Sequence, residues 1–176
     1  MLKFQIQQIA LSIPDAQRAQ DFLAKIGLTE WFHDHVVAKG FVFKDHPYKG
    51  SNHEETNEAD LRFNYQAGSG ADAEAAKPLE LEILDYRKGD NWINENVCNE
   101  DAHDNQVSHL GMHVSAEELV QWRDFFAAEG IQVAQEVNTE SHTNPAIKDT
   151  RRYNYVIFDT RDIIGVDLKF IVRKDI

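Results

Sequence analysis

Ser108-His109-Leu110-Gly111-Met112-His113-Val114-Ser115, followed at once by Ala116-Glu117-Glu118-Leu119, is the stretch whose reading decides the fold. Side chains alternate across a pleated strand, so Leu110, Met112 and Val114 point one way and His109, Gly111 and His113 the other. Ser115 then starts a helix with Glu118 three residues on, the pattern of a capping box. A similar unit stands near the N-terminus: Gln8-Ile9-Ala10-Leu11-Ser12-Ile13, then Pro14-Asp15 and a helical stripe of Ala19, Phe22, Leu23 and Ile26 that ends at Gly27. The stripe is expected to pack on a sheet. Each copy carries a metal-capable side chain, Gln8 or His109, at its first polar-face position. The two copies point to an internal duplication around a shared site.

Residues 3–13 read as the first strand and Trp31 to Phe43 as a second, irregular at Gly40. Lys44 to Asp60 is polar and reads as a long surface loop. Leu61 to Gln66 alternates again, residues 68–77 read as a hairpin connection, and Pro78 to Leu84 sets leucines on one face against Glu80 and Glu82 on the other. Polar composition from Asn94 to Gln106 marks the boundary between halves. The second half repeats the order: a strand at 107–114, a helix with Leu119, Trp122, Phe125 and Phe126 ended at Gly130, a short strand from Ile131 to Val137, and a polar loop from Asn138 to Thr150. Arg152-Tyr153-Asn154-Tyr155 then echoes Arg62-Phe63-Asn64-Tyr65, and Gly165 to Ile171 echoes Pro78 to Leu84. The expected fold is α+β. Two βαβββ modules, residues 1–93 and 107–176 joined by a linker at 94–106, curve their mixed sheets around one cavity.

The 176 residues are enough for one core or two small halves sharing one, and 42% hydrophobic with 27% charged residues is ordinary for a globular protein. A net charge of −12 argues against nucleic acid or an anionic membrane as partner. No apolar run reaches transmembrane length, and residues 1–20 lack the basic start and apolar middle of a signal peptide. Cys98 is the single cysteine, which excludes an intramolecular disulfide, so a reducing cytoplasm is the expected location.

The alternation gathers Gln8, Ser12, Arg62, Asn64, Glu80, Glu82, His109, His113, Arg152, Asn154, Asp167 and Lys169 on one polar, concave face. Such a face is costly unless it is solvated, paired or metallated. Gln8, His109, Asp167 and one of Glu80 and Glu82 make a mixed nitrogen and oxygen donor set without thiolate, suited to a divalent ion such as Zn, Ni, Co, Mn or Fe(II). The same charges also allow a metal-free pairing, in which Lys169 meets Asp167 or Glu82. Arg62 and Arg152 have the forked geometry that takes a carboxylate or phosphate bidentately, or pairs with nearby acids.

The doubled order, with Gln8-x-Ala-Leu-x-Ile-Pro-Asp and His109-Leu-Gly-Met-x-Val, resembles the vicinal oxygen chelate superfamily over nearly the whole chain. That group includes glyoxalase I, methylmalonyl-CoA epimerase, extradiol dioxygenases and bleomycin-resistance proteins. The resemblance implies metal ligands at the first polar-face position of each half's first strand and on each half's last strand, which here are Gln8, His109 and Asp167. For the fourth, alignment of the halves favours Glu80. The Glu82-Ile-Leu-Asp-Tyr86 ending is similar to the family's and favours Glu82, which is taken. Asp167 is shorter than the family's usual glutamate, and Ser12 stands where glutathione-using relatives carry arginine.

The resemblance thus implies a metal-dependent lyase or isomerase of the glyoxalase type, acting on a small substrate with vicinal oxygens and not clearly on glutathione. Glu82 or Asp167 would be the base, and Ser12, Arg62, Asn64, His113, Arg152 and Asn154 would contact the substrate. The alternative is a metal-free binding protein for a drug or metabolite. An Fe(II) extradiol-type dioxygenase ranks below both, because it would need His113 to join His109. A homodimer is expected, since members of the family share modules between chains.

Overall fold

The computed structural model describes residues 2–13, 15–42, 53–67, 79–88 and 106–176. The expected loop over 44–52, the hairpin connection at 68–77 and the linker up to residue 105, with Cys98, lie outside them.

The alternating segments become eight strands: β1 (Gln8–Ser12), β2 (Phe32–Val42), β3 (His53–Asn64), β4 (Glu80–Lys88), β5 (Gln106–His113), β6 (Val133–His142), β7 (Arg151–Phe158) and β8 (Asp167–Asp175). They close into one barrel in the order β1-β4-β3-β2-β6-β7-β8-β5. Helix α1 (Ala16–Lys25) follows β1, α2 (Ala116–Ala128) follows β5, and a short α3 (Arg161–Ile164) precedes β8. Each half is therefore a four-stranded sheet, and the halves join edge to edge through β1–β5 and β2–β6. The barrel closes within one chain. Fold class and curvature are those expected from the repeated strings.

Helix α2 forms for the reasons visible in its sequence. The Ser115 hydroxyl accepts from Glu118 N at 3.1 Å and Ser115 N donates to Glu118 Oε2 at 2.8 Å, completing the capping box. Leu119, Trp122 and Phe126 are buried with Met112, Val156, Phe158 and Phe170 in an aromatic core outside the barrel wall. Phe126 stacks on Phe158 with centroids 4.2 Å apart. A second cluster, with Val36, Ala38, Ala59, Leu61, Leu84, Val137 and Ile157, fills one part of the barrel interior.

Four expectations are corrected. First, β1 begins at Gln8 rather than at residue 3. Second, residues 53–60, expected as loop, are strand. Their inward positions are Asn57 and Ala59, too small or polar to signal alternation, while Asp60 pairs outward with His35 at 2.8 Å. Third, residues 138–142 continue β6, because they pair with β2 whatever their local polarity. Fourth, the α1 stripe packs only in part: Ala19 and Leu23 are half-buried, while Phe22 is 61% and Ile26 63% exposed. The helix is turned so that Gln17 and Gln20 meet the Arg62 guanidinium on the outer face of β3, at 3.0 and 2.9 Å.

Close approach of β2 and β6 depends on Gly40. A Cβ there would lie 2.0 Å from the Glu136 carbonyl oxygen and 2.6 Å from Val137 Cα, so only glycine allows the two backbones to meet.

Candidate ligand-binding site

The two parallel strand pairs fix the interior side chains by register. Gln8 lies beside Glu80 in one half, and His109 beside Asp167 in the other. Glu80 is thus the positional equivalent of Asp167. One step along, Glu82 is the equivalent of Lys169, since they pair with Ala10 and Gly111 respectively. Ser12, Glu82, His109, Asp167 and Lys169 are all buried, as is Gln8.

These groups form a continuous polar belt across the barrel. His109 Nε2 lies 2.9 Å from Gln8 Oε1 and 3.3 Å from Glu82 Oε2. Both are acceptors, so the network assigns the imidazole proton to Nε2, while Nδ1 accepts from the Ser108 hydroxyl at 3.0 Å. The Gln8 amide donates to Glu80, which also accepts from the Tyr65 hydroxyl. Gly111 gives Gln8 its room, since a Cβ there would come within 2.8 Å of Gln8 Oε1. At the other end, Lys169 Nζ stands 3.5 Å from Glu82 Oε2 and 4.4 Å from the centre of the Tyr155 ring.

Burial sets the protonation along this belt. It lowers the His109 pKa to about 4, with the Lys169 ammonium adding to the effect, so the ring is neutral. Burial alone would raise Glu82, but Lys169 and His109 together outweigh it and hold that carboxyl below its usual range. Glu80 is raised, by burial and by the neighbouring Glu82 charge. The Tyr65 and Tyr155 hydroxyls are raised, again mainly by burial.

Beside the belt lies a cavity of about 230 Å³. Phe32, Phe63, Tyr65, Tyr153 and Tyr155 wall it, Gln8, Glu80 and Glu82 belong to both belt and cavity, and Arg151 and His113 also line it. Asp34 and His142 line it as a buried pair, with His142 Nδ1 donating to Asp34 at 2.6 Å and Nε2 lying 2.8 Å from Thr139 Oγ1. On the other side of Glu82 and Lys169 is a smaller chamber of about 50 Å³, into which Asn57 and Gln135 face among aliphatic residues.

The expected substrate contacts divide. His113 lines the cavity, and Ser12 is buried inside the barrel. Arg62, Asn64, Arg152 and Asn154 are corrected: they face away from it. Arg62 bonds to α1, Asn64 donates to the Glu30 carbonyl at 3.1 Å, Arg152 donates to the Lys148 carbonyl at 2.7 Å, and Asn154 donates to the Val137 carbonyl at 3.3 Å. The alternation in the repeated string holds, but its phase is reversed. The interior here is partly apolar, so the aromatic members Phe63, Tyr65, Tyr153 and Tyr155 turn inward. The signal was present in Leu61, which lies on the same face as Phe63 and Tyr65. Arg151, rather than Arg152, is the cavity arginine.

Neither a family model nor a curated protein matches the chain. Solved structures similar to it include a methylmalonyl-CoA epimerase, 11% identical over 95% of this chain and 93% of that one, TM-score 0.48. A second methylmalonyl-CoA epimerase, from Mycobacterium tuberculosis, is 11% identical over 98% and 92%, TM-score 0.48. A hypothetical protein from Bacillus halodurans C-125 is 14% identical over 97% and 94%, TM-score 0.47. The paired modules and their registers decide the architecture. The fold, two four-stranded units closed into one curved α+β barrel, is the one expected from the sequence.

The donor set that the resemblance implies does not fit a divalent ion here. Gln8, His109 and Glu82 come together, but Asp167 is held by Arg161, whose Nη2 lies 3.1 Å from Asp167 Oδ2 and donates to the Ser108 carbonyl at 2.7 Å. Lys169 and Arg161 thereby stand against Glu82 and Asp167, so a dication bound there would be opposed by two fixed cations. Among the described residues no three carboxylate, imidazole or thiolate side chains are grouped to hold a metal.

Proposed function

We propose that this chain is a metal-free binding protein that holds a small organic molecule with an aromatic or apolar body inside its barrel. The single observation that carries the reading is Lys169. Its ammonium sits against Glu82, within the belt where the family's metal would stand, and supplies the positive charge that the buried carboxylate needs. What remains open to a ligand is the aromatic-walled cavity beside the belt.

The test is thermal melting of the full chain, first with excess chelator and then with Zn, Ni, Co, Mn or Fe(II), alongside calorimetric titration with 3-phenylpropanol. A ligand that binds only the folded state raises the melting temperature by mass action. The expected result is no shift with any metal and saturable binding of the neutral aromatic probe. A saturable, stoichiometric metal-dependent shift would overturn the reading in favour of the metal-dependent isomerase or lyase.

A further inference from the structure

The cavity's charges are arranged unevenly along its length. Arg151, Tyr153 and Tyr155 alternate along β7 and all line it, with Tyr155 at the level of Glu82 and Lys169. Arg151 is four residues further along, about 13 Å by the rise of an extended strand. Its backbone N–H donates to the Ile147 carbonyl at 2.9 Å. Its guanidinium makes no hydrogen bond or ion pair among the described residues, although it is only part-exposed. The contrast with its neighbours is informative. Arg62, Arg123, Arg152, Arg161 and Arg173 all spend their guanidinium groups on protein acceptors. At the inner end, Glu80 and Glu82 lie side by side on the belt.

We infer that the ligand is a monocarboxylate with an aromatic or apolar body, its carboxylate taken by Arg151 at the outer end and its body laid between Phe63, Tyr65, Tyr153 and Tyr155. A guanidinium offers a planar fork that matches a carboxylate bidentately. The Glu80 carboxyl at the other end, hydrogen-bonded among the described residues only to the neutral Gln8 and Tyr65 groups, disfavours a second negative charge, which sets the ligand's orientation and selects against dicarboxylates. Asp34 does not compete for Arg151, because His142 and the Thr143 and Asn144 backbone N–H groups, at 2.8 and 2.9 Å, already satisfy it. The inference rests on the metal-free binding reading and adds the chemical class of its ligand.

Calorimetric titration of the full chain with three matched probes tests it: 3-phenylpropionate, 3-phenylpropanol and 3-(4-carboxyphenyl)propionate, whose second carboxylate lies at the far end of the ring. The acid is expected to bind at least tenfold more tightly than the alcohol or the dicarboxylate. Arg151→Gln should lose on the order of ten- to hundredfold for the acid, as expected when a charged hydrogen bond is removed, with the alcohol's affinity unchanged. Arg151→Lys should recover part of the loss, and the melting temperature of both variants should match the parent's. If the alcohol binds as well as the acid and Arg151→Gln changes neither, the inference fails while the cavity reading stands. If none of the three probes binds, both fail.

Discussion

Replacing Lys169 by methionine tests the belt most directly. The substitution keeps the length of the side chain and removes its charge, leaving Glu82 buried with its side chain 1% exposed. Breaking a buried ion pair by removing one partner costs about 3–5 kcal/mol, because the other charge stays behind without compensation. For a chain of this size, that corresponds to a fall of about 6–20 °C in melting temperature. Lys169 holds both Glu82 and His109 down, so its loss should also move both groups' titrations upward. The double variant Lys169→Met/Glu82→Gln removes both charges while leaving an acceptor for His109, and it should recover most of the loss. Urea unfolding of the parent, both single variants and the double gives the coupling energy, expected on the order of 2–3 kcal/mol. A double variant as unstable as the sum of the singles would refute the argument that the two groups compensate one another.

Three further outcomes follow from the same structure. The unfolded chain protonates His109 near the ordinary 6.5 and the folded one only near 4, so stability present above pH 6.5 should be lost as pH falls towards 4, on the order of 3 kcal/mol in all. Urea unfolding across that range measures it, and the slope should shrink in His109→Gln. Gly40→Ala should cost about 3 kcal/mol or more by driving β2 from β6, and a loss below about 1 kcal/mol would contradict the close approach. Ser115→Ala should cost about 1 kcal/mol through the lost cap on α2, read as a lower urea midpoint with no change in slope.

Much of this architecture was legible because two independent signals agreed. The capping box at Ser115 and the repeated Arg-aromatic-Asn-Tyr string fixed element order and duplication, both through local chemistry that the chain carries with it. Elements set by distant pairing were not legible. Residues 53–60 and 138–142 are strands because β2 supplies partners, and their own polarity argues for loops. The inward placement of Gln8, Glu80, Glu82, His109 and Lys169 was legible from strand alternation alone. The phase of β3 and β7 was not, because the barrel interior is polar at one level and aromatic at another. The arginine facing the cavity was consequently misplaced by one residue. Arg161 was missed because it comes from the short helix α3 and reaches Asp167 from outside the strand pattern.

The Glu82–Lys169 contact also bears on how the halves of this chain recognise each other. The two residues hold equivalent positions in the repeat and meet across the axis relating the modules. A barrel built from two copies of the first module would bring two buried carboxylates face to face. One built from two copies of the second would oppose two ammonium groups. Either homotypic assembly is penalised by like-charge repulsion in a desolvated setting, and only the mixed pair is neutral. The opposite charges at this position make each half a selective mate for the other, a lock and its key within one polypeptide.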